Sequence, residues 1–229
     1  MWNFNLTLQI NFASLSSMDK NRGYLISFEG GEGAGKTSQV VILCKKLKKV
    51  GYDVVAVREP GGNKIAEQIR EVVLDKENKA IMDRTELLLY MAARAQVYND
   101  IVRPALEKGK IILMDRTRDS SVVYQGMMRG LGEKNVEWLN DFATDSVKPD
   151  LTFLLDVPVR IGLSRLEEEK MNRMDLISKK FHELVRKGYL DLAERNDGRR
   201  WQIVDGTLPM DEVTNIIWSI ISKKLPEKN

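Results

Sequence analysis

Short apolar runs that alternate with helical patterns predict an α/β domain: a parallel sheet with helices on both faces. Two further observations support that class. The run Phe28-Glu29-Gly30-Gly31-Glu32-Gly33-Ala34-Gly35-Lys36-Thr37 has the spacing of a phosphate-binding loop, a glycine, four residues, then Gly-Lys-Thr. Each of the first four predicted strands also ends in polar residues, and ligands of such sheets bind beyond the carboxyl ends of the strands.

The first strand is Leu25–Phe28, an apolar run that enters the loop. Val40, Val41, Leu43, Cys44 and Leu47 then share one helical face, which predicts a helix over about 37–50. Val54–Val57 is the second strand and ends in Arg58-Glu59-Pro60-Gly61-Gly62. Helices are predicted over about 63–75 and 84–107. Ile111–Met114 is the third strand and ends in Asp115-Arg116. Helices over about 119–127 and 135–147 precede the fourth strand, Leu151–Leu155, which ends in Asp156. A helical pattern over about 159–194, in two or three pieces, is interrupted between Glu167 and Ser178 by a dense charged and methionine-rich stretch. That stretch reads as a mobile lid, at about 165–178. Gln202–Val204 is the fifth strand, and a helix over about 210–223 follows it.

Trp2, Phe4, Leu6, Leu8, Ile10 and Phe12 alternate strictly with polar residues, a strand pattern with no positive or continuous apolar segment of a signal peptide. Residues 1–20 are expected to be a loosely attached extension of a single domain spanning 21–229; the alternative is an added edge strand. At 229 residues the chain can bury a sizeable core as one domain. Lys+Arg 36 against Asp+Glu 33 is nearly balanced and suggests no nucleic-acid partner. One cysteine, Cys44, excludes an internal disulfide and a cysteine metal site. His182 is the only histidine, which argues against Ser-His and multi-histidine zinc chemistry. No apolar run is long enough to span a bilayer, so no membrane partner is expected and the cytoplasm is the expected location.

The loop glycines turn backbone N–H groups, together with the helix N-terminus, toward phosphate anions. Lys36 adds a mobile charge for the β- and γ-phosphates, and Thr37 offers a hydroxyl to Mg²⁺. The ATP-binding set is therefore Gly30, Gly31, Glu32, Gly33, Ala34, Gly35, Lys36, Thr37 and Ser38. Arginines and acids at the ends of the neighbouring strands suit a second anionic substrate and Mg²⁺.

Several segments resemble thymidylate kinases: Arg58 to Gly62, Glu86 to Arg94, Asp115-Arg116, Ser120 to Gly126, Pro149 to Asp156 and Phe181 to Tyr189. The likeness runs from about Gly23 to Asp205 and is far more specific than the phosphate loop alone. It implies a P-loop NTPase fold of the nucleoside-monophosphate-kinase type, a five-stranded parallel sheet of order 2-3-1-4-5 flanked by helices. It implies transfer of the ATP γ-phosphate to dTMP, Mg²⁺ as cofactor, and a homodimer.

By that resemblance Arg58, Arg70 and Arg116 gather the dTMP phosphate, and Glu59 joins the dTMP site. Tyr90 stacks on thymine, Arg94 reaches its O4, and Ser121 and Gln125 meet its N3 edge. Tyr124 lies against the deoxyribose C2′, and Glu32 faces the sugar. Asp115, with Thr37, is the expected Mg²⁺ contact. The P-loop holds no arginine, so the bacterial type of the family, with its arginine in the lid, is implied. Arg173 matches that arginine, and Arg165 is the competing match. The catalytic set is thus Lys36, Arg116, Arg173 and Glu32. Thr117 and Ile177 depart from the family's aromatic and glutamate at those positions. The alternatives are a kinase for another pyrimidine nucleoside monophosphate such as dUMP, or a non-catalytic nucleotide-binding module. A guanine-reading Asn-Lys-x-Asp is absent, which argues against a GTP switch.

Overall fold

The structure, a computed structural model, describes residues 22–166, 171–195 and 200–225. The expected N-terminal extension and residues 167–170 of the expected lid lie outside the described residues.

Five parallel strands form one sheet of order β2-β3-β1-β4-β5. They are β1 Tyr24–Glu29, β2 Val54–Arg58, β3 Ile111–Asp115, β4 Leu151–Asp156 and β5 Trp201–Asp205. The order and direction are those expected. All five strands run a residue further at the carboxyl end than their apolar runs, because Glu29, Arg58, Asp115, Asp156 and Asp205 still pair across the sheet. Polar ends therefore stand in register along one edge.

The central strand is buried on both faces, which is why it reads as a continuous apolar run. Ile26 and Phe28 pack with Leu43 and Leu47 of α1 (Lys36–Lys49) and with Ile217 and Ile221 of α9 (Met210–Lys224). On the opposite face Leu25, Ile112 and Met114 pack with Val97, Tyr98 and Leu106. A third cluster joins Leu154, Val123, Tyr189 and Trp201. Cys44 is a partly buried member of the first cluster, as its helical face predicts.

The helices differ from expectation where their hydrogen bonding changes. Helix α2 (Lys64–Leu74) is capped by Asn63, whose side chain accepts from Ala66 N–H at 2.8 Å. The segment expected as one helix over 84–107 is α3 (Asp83–Val97), a π-helical turn at Tyr98–Val102, and α4 (Arg103–Glu107). Pro104 lacks the N–H that would continue the α-helical ladder, and the wider turn carries the chain past it. The helix expected over 119–127 is α5 (Arg118–Ser121) followed by a π-helical stretch, Val122–Met128. That stretch buries Tyr124 and Gln125 side by side. Helix α6 (Glu133–Thr144) ends where Asp145 and Ser146 turn left-handed. The 159–194 pattern resolves into α7 (Val159–Ser164) and α8 (Lys179–Glu194).

Phe28 and Phe153 stack at 5.5 Å between the two central strands, both fully buried. Phe153→Ala is expected to cost about 3–5 kcal/mol, read as a lower urea midpoint, and Phe153→Leu less, because less volume is emptied.

Candidate active site

The P-loop leaves β1 at Glu29 and enters α1 at Lys36. Gly35 caps that helix in the left-handed region at φ 93. At Gly33 a Cβ would lie 1.9 Å from the Gly162 carbonyl oxygen, so backbone meets backbone there. Lys36 is 7% exposed, and its ammonium spans the loop, donating to the Gly30 and Gly31 carbonyls at 3.1 and 2.7 Å. Burial, then the charge of Arg116, pulls its pKa down, while Glu32, Asp115 and Glu29 oppose that. The Thr37 hydroxyl donates to the Asp115 carboxylate.

The loop faces a cleft of about 930 Å³, near the upper end of the roughly 300–1,000 Å³ common for small-molecule sites. Glu32, Lys36, Thr37 and Ser38 line it from the P-loop and α1, and Arg58, Arg70, Tyr90, Arg116, Tyr124 and Gln125 from the other elements. Gly30 and Gly31 lie behind the lining and meet Lys36 through their carbonyls. Arg58 pairs with Glu67 at 2.9 Å, and Arg70 donates to Pro60 O at 2.7 Å, beside the cis Glu59–Pro60 bond.

Arg116 connects the two sets. Its Nη2 donates to Glu32 at 2.7 Å, and its Nη1 to Gly30 O, Ser120 and Tyr189 at 3.2, 3.2 and 3.1 Å. Its backbone is left-handed at φ 67. Its guanidinium lies over the Tyr124 ring, 5.3 Å from the centroid. Burial would raise the Glu32 pKa, but the charges of Arg116 and Lys36 and the Tyr124 hydroxyl, donating at 2.9 Å, hold it down at about 2. Glu32 is thus a fixed negative charge opposite fixed positive ones. Glu29 behaves oppositely. Burial, and next the charge of Asp119, pushes its pKa above the usual carboxylate range.

Two arginines stand differently from expectation. Arg94 is 2% exposed, and all five of its N–H groups are engaged. Nε and Nη2 bind Glu59 at 2.7 and 2.6 Å, Nη2 also reaches Thr117 O, and Nη1 binds Ser121 and Asn140. It borders the cleft as a scaffold for Glu59 and Ser121, and no N–H is left for a base oxygen. Arg173 is not at the P-loop. Its Nη2 pairs with Glu86 at 2.6 Å, its Nε donates to Val73 O, and its backbone N–H to Leu74 O. It docks the 172–177 turn on the end of α2. Arg165 instead faces the P-loop, with Nη1 on Gly33 O and Gly206 O at 3.3 and 3.1 Å. Asp156, at the end of β4, forms a two-pronged pair with Arg186 and is not among the cleft residues.

Other groups at the site carried no local signal. Glu86 is 1% exposed and takes Gln125 Nε2 at 2.9 Å and both Arg129 and Arg173. Asn172, Met174 and Asp175 border the cleft, as do Gly206 to Met210 beyond β5. The β5 loop could have been found by the same strand-end rule that located the others. Glu86 could not, because its partners lie 39, 43 and 87 residues away.

Removing the Arg94 side chain leaves Glu59 buried without its counter-ion. Arg94→Ala is expected to lose about 3–5 kcal/mol in urea unfolding as well as activity, a loss larger than a substrate contact alone would give.

The sequence pattern of the thymidylate kinase family matches residues 28–217. Among solved structures, the thymidylate kinase from Ehrlichia chaffeensis is similar, at 27% sequence identity and a TM-score of 0.73. The match covers 87% of this chain and 99% of that one. With the sheet order, the P-loop and the arginine-lined cleft, this places the chain in the thymidylate kinase family.

Proposed function

We propose that the P-loop amides, Ser38 and Lys36 hold the ATP phosphates, and that Arg58, Arg70 and Arg116 hold the phosphate of dTMP across the same cleft. As a thymidylate kinase the chain phosphorylates dTMP to dTDP. The observation that carries the assignment is that Lys36 and Arg116, two cations lining one cleft, both donate to Gly30 O at the root of the P-loop, at 3.1 and 3.2 Å. Phosphoryl transfer needs positioning and charge neutralisation more than covalent chemistry, and this arrangement supplies both.

Tyr90 and Tyr124 offer rings to the base and the deoxyribose. Gln125, its amide nitrogen fixed on Glu86, has its oxygen left to accept the thymine N3–H. Thr37 and Asp115 are hard oxygen donors in contact, which fits Mg²⁺ held by few protein ligands plus phosphate. When bound there, Mg²⁺ neutralises charge on the β- and γ-oxygens. Arg165 takes the donor-side place that the resemblance gave to Arg173, because it alone of the two faces the P-loop.

A homodimer is part of the proposal. Trp138 and Phe142 of α6 stack on each other while 66% and 75% exposed, and Leu88 of the adjacent α3 is 57% exposed. An apolar face of that kind supports pairing with a second copy. Among the described residues no helix is long and apolar enough to cross a membrane.

Lys36→Ala is expected to remain folded and to lose about a hundredfold or more in ADP release from ATP with dTMP, and near-normal turnover would remove the P-loop from the mechanism. In the same assay Arg165→Ala is expected to lower kcat by about two orders of magnitude with little change in dTMP affinity. Arg173→Ala should act mainly on the dTMP KM, through Glu86 and Gln125. The reverse pattern would return the donor-side role to Arg173.

A further inference from the structure

Glu29 takes no part in the contacts assigned to ATP or dTMP, yet its carboxylate is fully buried at the root of the P-loop. Oε1 accepts the Thr117 backbone N–H at 2.8 Å and the Thr117 hydroxyl at 3.1 Å. Oε2 accepts the Ser120 hydroxyl at 2.7 Å and the Tyr189 phenol at 3.1 Å. These are the groups that surround Arg116. A hydroxyl has one proton and two acceptor lone pairs. Ser120 and Tyr189 also meet each other at 2.7 Å; whether Tyr189 donates to Ser120 and Ser120 to Glu29, or each donates to Glu29, their protons point away from Arg116 and their lone pairs are free to receive its Nη1, which donates to both.

The backbone is held from the same carboxylate. Arg116 adopts φ 67, a conformation that a residue other than glycine keeps only where its surroundings over-determine it. Its own N–H is fixed by Phe28 O at 3.0 Å, and the next N–H, that of Thr117, by Glu29. Glu29 therefore fixes the backbone after Arg116 and orients two acceptors at its guanidinium.

We propose that Glu29 is the positioning residue for Arg116: through Thr117, Ser120 and Tyr189 it sets the guanidinium that receives the acceptor phosphate, and so sets dTMP affinity without touching dTMP. This rests on the reading of Arg116 as a phosphate ligand. Lys36 shares the Gly30 carbonyl with Arg116, but its shorter hydrogen bond, 2.7 Å, goes to Gly31 O, and none of the four hydrogen bonds to the Glu29 carboxylate involves it, so the network acts on dTMP affinity more than on ATP affinity.

Glu29→Gln keeps the shape and one acceptor oxygen. Its amide, however, donates where the carboxylate accepted, so one pair of hydrogen bonds must reverse. If the oxygen stays on Thr117, the hydroxyls of Ser120 and Tyr189 must accept from the amide; one proton can lie between the two hydroxyls, and the other then turns toward Arg116. Steady-state kinetics on the full chain should show the dTMP KM of Glu29→Gln raised about tenfold, the low end for a charged hydrogen bond, with the ATP KM within about twofold. Arg116→Ala should raise the dTMP KM at least as much. Adding Glu29→Gln to Arg116→Ala should cost less than about twofold more, since the two act through one contact.

If Arg116→Ala leaves the dTMP KM unchanged, the phosphate-ligand reading fails. If it raises that KM while folded Glu29→Gln does not, the reading stands and the positioning role is overturned. Equal rises in both substrates' KM, or full additivity in the double variant, also overturn it. Should Glu29→Gln not fold, Tyr189→Phe removes one arm of the relay. It should raise the dTMP KM about threefold with the ATP KM unchanged, and no change there overturns the proposal.

Discussion

A guanidinium taken out of water must be met on every side, and Arg116 shows how much structure that requirement organises. It contacts the P-loop twice, at Gly30 and Glu32, and reaches α5 at Ser120 and α8 at Tyr189. Three segments far apart in sequence are thus held to one charge. The charges of Arg116 and Lys36 hold Glu32 ionised against the cost of its burial, so the pair is a permanent dipole rather than a titrating one. The P-loop, α5 and α8 are thus fixed relative to one another before any ligand arrives, which lowers the ordering that binding would otherwise require.

The acceptor end is built on a similar rule with different chemistry. Arg94 has every donor engaged inside the protein, and Glu86 collects Gln125, Arg129 and Arg173. Each buried charge answers another, and the side chains that face the cleft, Tyr90, Ser121 and Gln125, are the outer layer of that network. The π-helical stretch at Val122–Met128 belongs to the same arrangement, since it packs Tyr124 and Gln125 together under α8.

What the sequence makes legible is what depends on neighbours in the chain. The strand–loop–helix around Lys36 is local, and so are the short apolar runs that give five strands. The sheet order and the roles expected of Arg58, Arg70 and Arg116 came through the family resemblance. The contacts of Arg94, Arg165 and Arg173 were not legible for one reason: an arginine's partners are set by which carboxylate or carbonyl it meets. Glu59, Gly33 and Glu86 stand 35, 132 and 87 residues from those three. The broken helices were missed more narrowly. Pro104 is visible in the sequence, but whether a helix stops there or widens into a π-turn depends on what packs behind it.

The close approach of Gly33 and Gly162 has its own consequence. A Cβ on Gly162 would lie 2.3 Å from Glu32 O, and one on Gly33 1.9 Å from Gly162 O. The P-loop is therefore backed by main chain, with no side chain between it and α7. Such a contact has no rotamers to freeze, so at this point the wall of the phosphate cradle adds no side-chain entropy to the cost of folding. The approach itself is made by two peptide planes, so a side chain at either glycine would force them apart.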